Sequence, residues 1–194
     1  MRYYDLHTHR AHPDIPAVEL HPWHLTEESL EMRLQQLECE ASRPEILAIG
    51  EAGLDKLCDT PFRLQLQAFR RVIRIADEAG KPLVIHCVKS MNELLALKKE
   101  CSPHNTWICH GFRGKPEAAS QLQRSGICLS YGEKFNREAL QATSLDRLFV
   151  ETDKSSLSIG EIYERMATAL HVDCEWLVHR VTQNFVREFG NLPE

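Results

Sequence analysis

The amino-acid sequence predicts an α/β fold built as a trimmed β/α barrel. Strand-like apolar runs alternate with helix-like segments along the chain, the pattern of a parallel sheet with helical crossovers. Five runs stop on a residue able to bind a metal: Tyr3–His9, Ile46–Glu51, Leu83–His86, Trp107–His110 and Leu148–Asp153. Parallel strands that each end in a polar ligand are how a β/α barrel assembles an active site at one rim. The length, 194 residues, falls short of the roughly 250 typical of an eight-unit barrel.

Seven strands are expected, near 2–7, 16–21, 45–50, 83–87, 107–110, 127–131 and 148–152. The gap from His9 to the second strand is shorter than the dozen or so residues a parallel crossover normally needs. That connection reads as a tight extended crossover or a local antiparallel pairing. The first helix is expected from Thr26 as N-cap, with Leu30, Leu34 and Leu37 at helical spacing. The second has Thr60 as cap and Pro61 at its first position, a buried stripe of Leu66, Phe69, Ile73 and Ala76, and Gly80 at its end. Ser90-Met91-Asn92-Glu93 has the spacing of a capping box. Further helices are expected from Pro116 to Arg124, after Asn136, from Ser158 and from Asp173. No internal repeat or Pro/Gly-rich linker marks a second domain, so residues 1–194 read as one domain.

The apolar share of 43% is enough for a sizeable core, and the net charge is −5. That balance argues against broad coating of nucleic acid through phosphate contacts. It does not argue against cutting phosphoesters, because bound cations would supply local positive charge. Seven scattered cysteines without a CxxC pair read as reduced thiols in a cytoplasm. No signal peptide is visible at the N-terminus, and no apolar run reaches the length of a membrane span.

In a strand, residues two apart share a face, so Asp5, His7 and His9 line one side and both histidines can reach one ion. Glu51 closes a run otherwise free of charge. It reads either as a surface or helix-cap carboxylate or as a bridge between two cations, placed in a tight loop. His86 and His110 each end an apolar strand, where a lone histidine is more often a satisfied core residue. Asp153 is placed to cap the next helix, or to ligate a metal and take a proton from bound water. Together His7, His9, Glu51, His86, His110 and Asp153 exceed a closed structural zinc site and suit two cations. The donors fit Zn, Mn, Ni or Fe, and leave Mg open. Lys89, Arg113, Lys134 and Lys154 are candidate phosphate contacts, and Trp23 can stack a base or sugar.

Several motifs, in this order, resemble the TatD family of metal-dependent hydrolases. They are His7-x-His9, His21-Pro22-Trp23, Ile49-Gly50-Glu51-x-Gly53-Leu54-Asp55, Gln65 with Phe69, His86, His110-Gly111-Phe112-x-Gly114, Glu151-Thr152-Asp153 and Asn184. The resemblance implies a TIM-like barrel with one β/α unit missing near the N-terminus. It also implies a divalent-metal phosphoesterase, often described as a deoxyribonuclease, that acts through metal-bound hydroxide on DNA or a short oligonucleotide. It assigns His7, His9 and Asp153 to a first metal, His86 and His110 to a second, and Glu51 to both. His21 falls near the site, where with Lys89 and Arg113 it is a candidate substrate contact. Where the family usually has an arginine after the fifth-strand histidine this chain has Val88, and Lys154-Ser155-Ser156 replaces its proline-containing loop.

Two other classes remain open. Asp5-Leu6-His7-Thr8-His9 also resembles the opening of the polymerase-and-histidinol-phosphatase family, although Asp153-Lys154-Ser155 lacks its closing Asp-x-His. An amidohydrolase would commonly use a modified lysine where this chain offers Glu51. A metal-binding protein without turnover is the non-enzymatic alternative.

Overall fold

The computed structural model describes residues 2–11 and 13–190. The chain divides into two compact units, Pro16–Ile108 on the one hand and Met1–Ile15 with Cys109–Glu194 on the other.

The unit Pro16–Ile108 contains β1 (Ala17–Leu20), α1 (Leu30–Ala41), β2 (Ala48–Asp55), α2 (Phe62–Glu78), β3 (Leu83–Val88), α3 (Met91–Cys101) and the start of β4 (Trp107–Cys109). β1 pairs with β2 and β2 with β3, both in parallel. The Leu83 N–H donates to Thr106 O, at the approach to β4. Every residue of β2 is buried.

Glu51 was expected in a loop just past a strand ending at residue 50. Instead β2 runs on through Glu51 to Asp55, and all of Gly50–Asp55 is strand. The reason is close approach. A Cβ on Gly50 would lie 2.2 Å from Val84 O, and one on Gly53 2.2 Å from His86 O. Two glycines that read as loop punctuation let β2 lie against β3. The pairing register shifts between Ile49 and Ala52, so Gly50 and Glu51 form an irregularity that re-aims the carboxylate.

The helices of this unit refine several expectations. Helix α1 starts at Leu30, because Thr26 holds the preceding turn: its Oγ1 accepts the Ser29 N–H and its carbonyl the Leu30 N–H. In α2, Phe69, Ile73 and Ala76 are buried as expected, but Leu64 joins them and Leu66 is only half-buried. Leu66 lies about 100° round the helix from Gln65 and about 60° from Phe69, at the edge of the buried stripe. The expected capping box at Ser90 does not form. The Ser90 hydroxyl donates to Leu54 O at 2.8 Å, and Glu93 pairs with Lys56.

The other unit contains α4 (Pro116–Arg124), β5 (Ile127–Tyr131), α5 (Arg137–Gln141), β6 (Leu148–Val150), α6 (Ile159–Leu170) and α7 (Cys174–Phe189). β5 and β6 pair in parallel. Asn136, Ser158 and Asp173 cap their helices as expected, Ser158 with Glu161 in a complete capping box. Tyr4 stacks on Phe185 with centroids 5.2 Å apart, and Phe149 meets Phe185 edge-on at 5.1 Å. The buried Asn184 amide donates to Leu145 O and Leu148 O, fixing the start of β6.

Six regular strands are present among the described residues, not seven. Residues 2–7 form an extended segment beside β6, with Leu6 N–H on Val150 O at 2.9 Å and Asp153 N–H on His7 O at 2.9 Å. Side chains take over part of the ladder here. Asp14 accepts the Asp5 N–H, and Asp5 accepts the Thr152 N–H, so the last strand stops at Val150 rather than 152. Among the described residues, no helix is long and apolar enough to cross a membrane.

Candidate metal-binding site

In the unit that holds both chain ends, backbone bonds gather the first candidate ligands. The Asp153 N–H donates to His7 O, and the His9 N–H donates back to Asp153 O at 3.2 Å. Asp153 takes a left-handed conformation, φ 51°. Its neighbour Thr152 is clamped through N–H and Oγ1 to the Asp5 carboxylate, at 2.9 and 2.6 Å. Burial pushes the Asp5 carboxyl up to about 6, against the Thr152 hydrogen bonds that pull it down. One atom each from His7, His9 and Asp153 lies within 4.8 Å of the others, with His9 Nε2 at 3.3 Å from Asp153 Oδ1.

His110 joins this group. Its ring centroid is 4.7 Å from that of His7, and its Nδ1 lies 3.3 Å from Oε1 of the fully buried Glu151. The same oxygen accepts the Gly111 N–H at 2.7 Å. Burial raises the Glu151 carboxyl, but His110, by charge and hydrogen bond, and then His7 outweigh it and bring it below the ordinary carboxylate value. An ionised Glu151 draws the His110 proton to Nδ1, which leaves Nε2 as a ligand atom. Arg113 Nη2 lies 3.9 Å from Asp153 Oδ2. Arg113, Lys134, Asp153 and Lys154 line a small cavity of about 100 Å³.

In the unit Pro16–Ile108, His21, Glu51 and His86 offer ligand atoms within 4.8 Å of one another. Hydrogen-bond logic separates their roles. His21 Nδ1 accepts the Trp23 N–H at 3.2 Å, so the ring proton of neutral His21 sits on Nε2 and donates to Glu51 Oε1 at 3.1 Å. His21 therefore steadies Glu51. His86 Nε2 lies 3.1 Å from Asp55 Oδ2. Burial raises the Asp55 carboxyl, yet hydrogen bonds from the Trp23 indole, the Leu57 N–H and His86 hold it below the usual value. His86 is thus held between two carboxylates, its Nε2 by Asp55 and its Nδ1 in direct contact with Glu51 Oε1. An imidazole nitrogen against a carboxylate oxygen is a pairing that either a shared proton or a metal ion satisfies. The donors thus fit a divalent cation, with neutral imidazole and carboxylate as its ligands.

A family model described as TatD related DNase matches residues 5–190. The chain belongs to the TatD family. Among TatD relatives, the uncharacterized metal-dependent hydrolase YabD of Bacillus subtilis is 31% identical over 122 residues, which is 58% of this chain and 48% of that protein. The 3'-5' ssDNA/RNA exonuclease TatD of Cronobacter turicensis is 30% identical over 165 residues, 76% of this chain and 60% of its own length. The human 3'-5' RNA nuclease TATDN2 is 34% identical over 122 residues, 57% of this chain and 16% of that protein. The chain therefore spans about half of YabD and less than two thirds of the exonuclease. The crystal structure of YJJV, a TatD homolog from Escherichia coli K12, superposes with a TM-score of 0.80 at 21% identity, covering 91% of this chain and 77% of that one. Likeness at this level shows the fold, the TIM-like β/α class that the sequence predicts.

Of the TatD-type residues expected from sequence, His7, His9, His110 and Asp153 are gathered in one unit, and His21, Glu51 and His86 in the other. Lys89 is exposed just past β3, with φ 53°. Sequence reasoning passed over Asp55 and Glu151 as site residues. Both stand inside quoted TatD motifs, and their signal is a carboxylate close in sequence to another expected ligand.

Proposed function

We propose that this TatD-family chain acts as a single domain that hydrolyses phosphoester bonds with two divalent metal ions, on DNA or a short oligonucleotide, in the cytoplasm. The observation that carries the reading is the pair of histidine–carboxylate couples, His86 with Asp55 and His110 with Glu151, in which a carboxylate orients an imidazole as it does for metal-ligating histidines. His7, His9 and Asp153 are assigned to one ion. Glu51 and His86 are ligands in the other unit, and His110 adds Nε2. Zn, Mn, Ni, Fe or Mg suits this donor set.

When bound, such ions activate water and stabilise charge on phosphoryl oxygens. Asp153 orients the attacking water and accepts its proton. Arg113, Lys134 and Lys154, around their shared cavity, balance charge on the phosphate. Two relatives described as nucleases favour a nucleic-acid strand as substrate.

The test is metal analysis of the purified chain, with hydrolysis of a single-stranded oligonucleotide and of bis-p-nitrophenyl phosphate in Mg, Mn and Zn. Two bound ions and turnover that collapses in Asp153→Ala and Glu51→Ala are expected. Substoichiometric metal under every loading condition overturns the two-ion reading. Turnover that survives both substitutions overturns the residue roles.

A further inference from the structure

Trp23 is oriented the reverse of most indoles. A tryptophan at a surface usually buries its ring and leaves its N–H wet. Here the indole N–H turns inward to donate to Asp55 Oδ2 at 2.7 Å, onto a carboxylate only 4% exposed, while 49% of Trp23 remains in solvent. The ring is held on a fixed bearing. Its plane stands at 81° to both His21 and His86, with centroids 4.9 and 6.0 Å away. Asp55 Oδ2 also meets His86, so one oxygen ties the indole to a proposed metal ligand. The other oxygen accepts the N–H of Leu57 at 2.8 Å, and the Leu57 side chain is 71% exposed. One buried carboxylate therefore anchors the exposed indole near His86 and the backbone of the exposed Leu57.

We propose that Trp23 is a specificity-determining contact whose exposed indole stacks a nucleobase of the strand being hydrolysed, with Leu57 on the same anchor. The site then prefers base-bearing strands over bare phosphoesters. Stacking suits this arrangement because every base has a π-face, so it selects for bases without selecting a sequence. The inference rests on the phosphoester reading above and adds the part of the substrate that Trp23 touches.

The test compares oligodeoxythymidine with a strand of equal length built from abasic residues. Binding is followed by fluorescence anisotropy, and KM and kcat are measured separately. At saturating metal, wild type is expected to prefer the base-bearing strand, and Trp23→Ala to lose about 10-fold of that preference, read as the ratio of Kd and of KM between the two strands. Trp23→Phe, which keeps a π-face but loses the bond to Asp55, keeps part of it. Trp176→Ala, which removes an indole of similar exposure (46%) on α7, keeps all of it. Absence of any preference in wild type overturns the proposal, as does a preference that survives Trp23→Ala in folded protein. Should Trp23→Ala fail to fold, Trp23→Phe against Trp23→Leu decides, since leucine fills space without a π-face. Equal turnover of both strands sinks the stacking and leaves the hydrolase. A binding preference without turnover of either strand does the opposite.

Discussion

A Cβ placed on Gly53 would lie 2.2 Å from the carbonyl oxygen of His86. Gly53 has φ +145°, a region open in practice only to glycine. Its neighbour in the clash is backbone and cannot swing aside. Gly53→Ala is expected to destabilise the fold by at least about 3 kcal/mol, from backbone strain and overpacking together. Gly80→Ala makes the comparison. Gly80 also has a positive φ, +63°, but nothing lies within 4 Å of its Cβ position. Its loss should be only about 1–2 kcal/mol. Urea denaturation of both variants checks the difference, and equal losses would mean that the β2–β3 approach is looser than described.

Gln65 acts as a surrogate piece of backbone for the end of β2. Its Oε1 accepts the Asp55 N–H at 2.7 Å, and its Nε2 donates to Asp55 O at 2.9 Å and Thr60 O at 2.8 Å. The side chain is fully buried, so Gln65→Leu strips these groups of their amide partner in a dry site and leaves Asp55 O to the weak Cys58 thiol donor. The expected loss is about 2–4 kcal/mol. Because Asp55 orients His86, affinity for Mn or Zn should also fall, by roughly 10- to 100-fold. Calorimetric titration of folded variant with metal is the check. Unchanged affinity would show that the Asp55–His86 contact does not position a ligand.

The candidate ligand residues stand out in the sequence because each follows an apolar run whose period is local. The caps at Asn136, Ser158 and Asp173 were legible for the same reason, since each bonds to an N–H three residues on. Ser90 carries the same signature and behaves differently, because the carbonyl of Leu54, 36 residues away, competes for its hydroxyl. Glu51 was misplaced into a loop because glycines at 50 and 53 signal a turn unless the chain beside them is known. Asp55 and Glu151 are ordinary carboxylates in sequence. Their role follows only from which histidine nitrogen each one meets.

Asp77 provides a pH dependence away from the site. Its Oδ1 accepts the backbone N–H groups of His104 and Asn105 at 2.6 and 3.1 Å, and its Oδ2 lies 3.3 Å from His104 Nδ1. Slight burial raises its carboxyl, but the N–H groups of Asn105 and His104 outweigh this and hold it below the ordinary value. A carboxylate depressed in the folded state stabilises above the unfolded pKa, about 3.9, and that contribution disappears as pH falls through the lower folded value. Asp77→Asn should therefore be less stable than wild type by about 1 kcal/mol at neutral pH, with partial exposure limiting the effect. The gap should narrow below about pH 4 and close in stronger acid. Melting curves across that range test it, and a gap independent of pH would assign the loss to packing instead.

Metal binding should be visible as stability, because ligands that bind only the folded chain stabilise it by mass action, by about 2.7 kcal/mol at a hundredfold excess over Kd. His9 is exposed, so in metal-free protein His9→Ala should change stability by no more than about 0.5 kcal/mol. With saturating Mn or Zn the wild-type melting temperature should rise, and the His9→Ala rise should be smaller. His86→Ala removes a ligand from the other set, Glu51 with His86. It should also lower stability without metal, because Asp55 loses the ring it meets on Nε2. The two effects are therefore separated by the metal-dependent part of each melting shift, measured with and without chelator. Both variants should lose metal-dependent stabilisation, and the double variant should lose more than either. A wild-type shift retained in full by His9→Ala would remove His9 from the ligand set, whatever its distance from Asp153.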